Sequence, residues 1–147
     1  MLTTPHAVTG AAIGALMPSP WLVVPVAVAS HFALDHIPHW QETLAPYTPT
    51  RRTYIRIVFD LILAGLLVGL VAGWHSDRTA LVWLGAAAAN APDLDTITVL
   101  LPGLRRGPVQ RFWDWHCRIQ RETGELLGVY TQLVTIAACL AVSFAMM

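Results

Sequence analysis

Histidines and aspartates in this chain fall at spacings that can share a cation. His31 and Asp35 stand four residues apart in ASHFALDHIPH, so on a helix their side chains project from one face, a turn apart. Imidazole and carboxylate together suit zinc, manganese or iron better than calcium. His36 and His39 follow at once, while the preceding run Ala27-Val28-Ala29 is apolar. Asn90-Ala91-Pro92-Asp93-Leu94-Asp95 closes an alanine-rich stretch with two acids two apart, and Pro92 fixes the turn that presents them. Such acids can supply oxygen ligands or simply end a helix in water. His6 opens an apolar run just after Pro5, where a helix N-terminus favours a neutral ring able to ligate; Thr3 and Thr4 are the better capping residues. His116 lies in FWDWHCRIQ, beside Arg118 and Arg121, which can hold a phosphate or belong to a solvated face.

Asp60 sits inside an otherwise apolar stretch. A carboxylate at the centre of a membrane helix costs roughly 2.5 to 3.5 kcal/mol, and its place near the helix start softens that cost. It reads either as a ligand or proton acceptor inside a bundle, or as the partner of Arg56 one turn earlier. Glu122 and Glu125 precede the last apolar run, where they suit the helix dipole.

The elements that must hold these groups are apolar helices. His6 to Met17 is a run of small residues with Gly10 and Gly14 four apart, a spacing that lets another helix approach closely. Pro18-Ser19-Pro20 breaks the chain, and Trp21 to Asp35 forms a second apolar helix that tolerates Pro25. His36 to Arg52, punctuated by Pro38, Pro46 and Pro49, reads as an irregular connection. Tyr54 to Trp74 is a spanning segment by length. After a polar turn at His75-Ser76-Asp77-Arg78 a fourth helix runs from Thr79 to about Ala91, and Thr96 to Leu101 extends along the interface. Arg105 to Arg121 carries Trp113 and Trp115 as an interfacial segment would. Leu126 to Met147 is a second span. The expected fold is a single all-α domain over residues 1–147, an integral membrane bundle of four to five apolar helices plus an interfacial helix.

Composition agrees. Of 147 residues, 55% are hydrophobic and only 12% charged, about half the charge of an ordinary soluble domain. The formal charge is zero, so no generally basic surface is available and nucleic acid is not an expected partner. All nine basic residues are arginine, as phosphate and carboxylate forks or a GC-rich genome would give. Cys117 and Cys139 lie in different settings and read as free thiols. The N-terminal residues lack a positive n-region, so no cleaved signal peptide is expected. Threading the helices back and forth places every arginine except Arg78 on one side, which the positive-inside rule makes cytoplasmic. The same threading brings His6, His31, Asp35, His36, His39, Asp60, Asp93, Asp95, His116 and Glu122 to that side and leaves His75 opposite.

The pieces PHAVTGAAIG, ASHFALDHIPH, AAAANAPDLD and FWDWHCRIQ, followed by GVYTQL, resemble the small bacterial inner-membrane proteins described as metal-dependent hydrolases, the YdjM-like or DUF457 group. Pro5-His6 matches the opening Thr-His of that group, Ser30-His31 through Asp35 its SHxxLD-type motif, and Pro92, Asp93 and Asp95 its PDxD-type motif. Relatives often carry an HxxxH-like stretch before the last helix; here His116 is present and Gln120 stands where the second histidine is expected. A more remote likeness is to the zinc-dependent phospholipase C fold, whose members cleave phosphoesters. The resemblance implies a multi-pass inner-membrane protein with its N-terminus and polar site in the cytoplasm, acting on a phosphoester or lipid-associated ester. His6, His31, Asp35, Asp93, Asp95 and His116, with His39, would bind a divalent transition metal, zinc first and manganese or iron next. Asp60 or Glu122 would accept the proton, and membrane lipid would be the surrounding partner.

Another class of function fits the same residues: a non-catalytic membrane scaffold or complex subunit with a structural metal or none, its tryptophans serving as belt anchors. Haem ligation by histidine lacks a CxxCH signature. A proton pathway is disfavoured because only Asp60 lies at depth in a spanning segment.

Overall fold

Small residues make the centre of the molecule. In α1 (Thr3–Leu16), Thr4 through Val8, Gly10 to Ala12, Gly14 and Ala15 are all buried, as expected of a helix surrounded on every side. The computed structural model describes residues 1–41 and 50–146, and among them the chain is helical with no strand. Around α1 stand α2 (Pro20–Asp35), α3 (Arg51–Trp74), α4 (Thr79–Asn90) and, after the short α5 (Ile97–Leu100) and the helix α6 (Pro108–Ile119), α7 (Glu125–Ala145). Met147 and the Pro46 and Pro49 punctuation of the connection lie outside the described residues.

Glycine lets α1 and α4 meet backbone to backbone. A Cβ on Gly10 would strike the Gly85 carbonyl, one on Gly14 the Leu81 carbonyl, and one on Gly85 the Gly10 carbonyl. The close approach expected of Gly10 and Gly14 is therefore made to α4. Ala7, Ala11 and Ala15 then pack with Ala64, Val68, Val71 and Ala72 of α3 and Val82 and Ala86 of α4.

α1 begins at Thr3, earlier than its apolar run, because its first turn has a donor-satisfying partner elsewhere. Asp60 of α3 accepts the Thr3 amide at 2.7 Å and the Thr4 amide at 3.2 Å, and the Thr4 hydroxyl donates to the same carboxylate at 2.6 Å. Leu2 occupies the N-cap without a side-chain bond, so the cap is supplied by Asp60 rather than by Thr3 or Thr4. Pro5 fits in this first turn, where a missing N–H costs nothing.

Two helices, α3 with 24 residues and α7 with 21, are long and apolar enough to cross a membrane, with mean hydropathy of 2.4 and 1.8. Their outer faces expose Phe59, Leu66, Leu70, Leu127, Tyr130 and Leu133. The expectation of four to five such helices is not met: α1, α2 and α4 have 14, 16 and 12 residues, short of the roughly 20 needed for the hydrocarbon core. Trp21, at 87% exposure, projects from the start of α2.

Two devices bring distant parts of the chain to the end of α2. Gly107, with φ of 56°, takes the left-handed conformation that glycine alone adopts freely, and Pro108 then opens α6. Past α6 the backbone runs beside residues 35–39: the Arg121 amide donates to Asp35 O at 2.9 Å, the His39 amide to Arg121 O at 2.9 Å, and the Thr123 amide to His39 O at 2.8 Å. This staple fixes the chain after His116 against the chain after Asp35.

Candidate metal centre

His31 hangs from the last turn but one of α2, and its Nδ1 lies 2.7 Å from the Ala89 carbonyl of α4. A carbonyl only accepts, so Nδ1 carries the proton and Nε2 presents a lone pair. On α6, His116 Nδ1 lies 2.8 Å from Asp95 Oδ2 and is committed in the same way. The two Nε2 atoms then face each other at 3.1 Å. Asp35 Oδ2 stands 3.2 Å from His31 Nε2 and 3.1 Å from His116 Nε2, and Asp93 Oδ1 lies 3.5 and 3.9 Å from the same two atoms.

Four electron-rich atoms converging in this way fit a metal ion. Donors about 2.1 Å from a tetrahedral ion stand about 3.4 Å from one another, close to these separations. The outer nitrogens are held by a carbonyl and a carboxylate, the usual partners of ligating histidines. His31 and Asp35 are fully buried, His116 is 2% exposed and Asp93 30%, so the cluster opens to its surroundings at Asp93.

Electrostatics record the same crowding. Burial disfavours the charged form of His116, but the hydrogen bonds it donates to Asp35 and Asp95 and the nearby carboxylate charges outweigh it and raise its pKa to about 9. Burial raises the pKa of Asp93.

His6 stacks on His31, ring centroids 4.0 Å apart, and its Nε2 is 3.3 Å from the other oxygen of Asp35, Oδ1. Its ring is fully buried, and neither nitrogen has a hydrogen-bond partner. Asp35 Oδ1 also accepts from the Met1 amino group at 2.9 Å, and that group reaches Gln41 Oε1 at 3.2 Å.

Of the seven residues expected to bind metal, six are brought together: His6 with His31 and Asp93, His31 with Asp35 and His116, and Asp93 with Asp95 and His116 form sets whose donor atoms lie within 4.8 Å of one another. Asp95 meets His116 through Nδ1, so its contact orients that ring. His39 belongs to none of these sets. Its Nδ1 bonds the Ile37 carbonyl at 2.8 Å, its Nε2 is buried without a partner, and burial lowers its pKa. His36 is exposed and turned to the Phe32 carbonyl, and His75 bonds the Ser143 carbonyl of α7, apart from the cluster.

The two carboxylates expected to accept a proton are placed differently. Asp60 is buried and engaged with the first turn of α1. Glu122 is exposed and accepts from Gln41 Nε2 at 2.8 Å. Gln41 also donates to Gln120 Oε1 at 2.6 Å, and Gln120 Nε2 lies 3.4 Å from His116 Nε2. A polar chain thus runs from Glu122 through Gln41 and Gln120 to the cluster. Gln41 and the Ala89 carbonyl carried no sequence signal, whereas Gln120 stands one helical turn after His116. Arg118 is occupied by the Asp114 carbonyl of its own helix at 3.0 Å, and Arg105 lies over the Trp113 ring, 4.1 Å from its centroid.

The cluster can hold a divalent cation between α2, α6 and the turn after α4, with one open side. No family model, curated protein or solved structure matches this chain, so its functional reading rests on the geometry.

Proposed function

We propose that this chain is a multi-pass inner-membrane protein whose His31, Asp35, Asp93 and His116 hold a divalent transition ion, zinc by choice of donors, for hydrolysis of a phosphoester or lipid-associated ester at the cytoplasmic face. The observation that carries the metal is the facing pair of imidazole lone pairs at 3.1 Å, each backed by an acceptor at the other ring nitrogen. Two hydrolytic features follow from the chain's own residues. Asp93 borders the open side, where a substrate can approach, and Gln41 Nε2 donates to both Gln120 and Glu122, holding near the cluster a solvent-facing carboxylate able to take up a proton through water. An ion bound here would acidify water and offset negative charge growing on a phosphoryl or acyl oxygen. The likeness to the inner-membrane metal-dependent hydrolases supports the reaction class.

Membrane residence is supported by the lengths of α3 and α7 and by the exposed apolar residues on both. With α1, α2 and α4 threaded as shorter membrane segments, eight of the nine arginines fall on the side of the cluster, which supports a cytoplasmic placement. Phe112 and Trp115 on α6 are exposed beside the arginines, as an interfacial helix requires.

Full burial of His31 and Asp35 also favours a second reading, in which the ion is structural and the chain a scaffold, since structural zinc sites are closed by protein. Elemental analysis of detergent-purified protein, paired with a phosphoester panel, separates the two. Bound metal that disappears in the double variant His31→Ala, Asp35→Ala together with metal-restored hydrolysis supports the hydrolase. Bound metal without turnover supports the scaffold, and protein without stoichiometric transition metal rejects both.

A further inference from the structure

The His31–His116 centre uses only one oxygen of Asp35. The other, Oδ1, faces a different set of groups: His6 Nε2 at 3.3 Å and the Met1 amino group at 2.9 Å, which also reaches Gln41 Oε1. His6 is an anomaly, an imidazole with 0% exposure whose Nδ1 has no partner and whose Nε2 meets only Asp35 Oδ1, at 3.3 Å and short of hydrogen-bond geometry. Burying such a ring without partners is unfavourable unless something else engages it.

The donor atoms of His6, His31 and Asp93 lie within 4.8 Å of one another, but one ion is badly placed for both imidazoles. A metal bound by imidazole lies in the plane of the ring, along the nitrogen lone pair. The rings of His6 and His31 are stacked with 4.0 Å between centroids and only 19° between planes, so their lone pairs lie in two nearly parallel sheets that share no nearby point. Each Nε2 is opposite its own oxygen of the same carboxylate, His6 at Oδ1 and His31 at Oδ2. The stacking distance also matches the roughly 3.5–4 Å between the ions of two-metal hydrolytic sites. The Oδ1 side already holds positive charge, the Met1 amino group, which donates to Asp35 Oδ1 and Gln41 Oε1; a second ion would take its place on these two oxygens.

We propose that the centre binds two divalent cations bridged by Asp35, the second displacing the Met1 amino group and held by His6 Nε2, Asp35 Oδ1 and Gln41 Oε1. This rests on the first ion being bound as described above. The bridged pair makes His6 a ligand in its own right, and α1, the innermost helix, the element that carries it. Two cations suit a phosphoester better than a carboxylic ester, because each can neutralise one oxygen of an anionic phosphoryl group.

The test is manganese loading of the detergent-purified full chain, read by metal content and by electron paramagnetic resonance. Two manganese ions per chain with the spectrum of a spin-coupled pair are expected, and His6→Gln should halve the content and leave the signal of isolated manganese. One isolated ion in the wild type, or two ions retained in His6→Gln, overturns the bridged pair while leaving the single-ion reading intact. A wild type that binds neither manganese nor zinc overturns both. If His6→Gln does not fold, the wild-type spectrum decides: coupled manganese supports the pair, isolated manganese rejects it.

Discussion

Asp95 Oδ2 lies 2.8 Å from His116 Nδ1, on the side of the ring away from the cluster. This contact ties the acidic turn after α4 to the outer edge of α6's histidine and fixes which nitrogen of His116 is free to ligate. Asp95→Asn should therefore weaken metal binding without removing a ligand. The expected loss is about 10- to 100-fold in affinity, the usual effect of removing such an orienting partner, measured by competition with a chelator. An unchanged affinity would show that His116 is oriented by its helix alone.

The cation-sharing pair was legible in the sequence because it is local: His31 and Asp35 lie one helical turn apart, and Asp93 and Asp95 flank a single residue after a proline. The division of labour between them was not. Whether Asp95 ligates or orients depends on which ring nitrogen of His116 turns towards it, and that is set by packing of α6 against α2 across 81 residues of chain. Asp60 was conspicuous as a charge in an apolar run, yet its partners are the amides at residues 3 and 4, which no local pattern links to it. The small-residue run announced close packing through Gly10 and Gly14, while the identity of the facing Gly85 emerged only from the fold. His39 shared a motif with the site but not its geometry, because the backbone staple to residues 121–123 turns that segment away.

Protons should compete with the metal at His116. Its raised pKa, about 9 against the ordinary 6.5, means the metal-free ring is protonated at neutral pH. Apparent metal affinity should accordingly climb with pH up to about 9, by as much as tenfold per unit, and then level off. The sign for stability is opposite in the metal-free protein. A pKa raised on folding contributes stability that is complete below the unfolded value near 6.5 and is lost as pH rises to about 9. Thermal melts across that window should fall with pH after chelation and not with metal present. A melting temperature that rises instead would reject the assigned proton.

Glycines should divide sharply by location. Gly85→Ala forces a methyl into the Gly10 carbonyl, backbone against backbone, and should destabilise the protein by about 1–3 kcal/mol, as overpacking does. Gly65→Ala and Gly69→Ala, where nothing lies within 4 Å of the added carbon, should be neutral or stabilising by up to about 1 kcal/mol from helix propensity. Thermal unfolding in detergent orders the three, and equal effects would contradict the tight α1–α4 crossing.

Asp60→Ala should cost about 0.5–2 kcal/mol, the range for removing a helix cap, because the Thr3 and Thr4 amides lose their acceptor. Asp60→Asn keeps an acceptor oxygen and should recover much of that. The effect on metal content separates two roles for this carboxylate. As a cap it leaves His31, Asp35 and His116 in place, so metal remains bound in Asp60→Asn; metal loss there with normal stability would instead place Asp60 at the centre.

Cys117 tests the proposed orientation directly. It is exposed on α6 one residue after His116, whereas Cys139 is half-buried within α7, where its Sγ lies 3.3 Å from the Thr9 hydroxyl. A membrane-impermeant thiol reagent should modify Cys117 in inverted inner-membrane vesicles and spare it in intact spheroplasts, because the cluster is assigned to the cytoplasmic face. Burial and the nearby Asp95 raise the thiol's pKa, so labelling should be done at mildly alkaline pH, where more thiolate is present. Cys139→Ser removes the competing thiol while keeping a small side chain beside Thr9. Modification of Cys117 from the outside of spheroplasts would reverse the topology, and with it the claim that the metal centre meets its substrate from the cytoplasm.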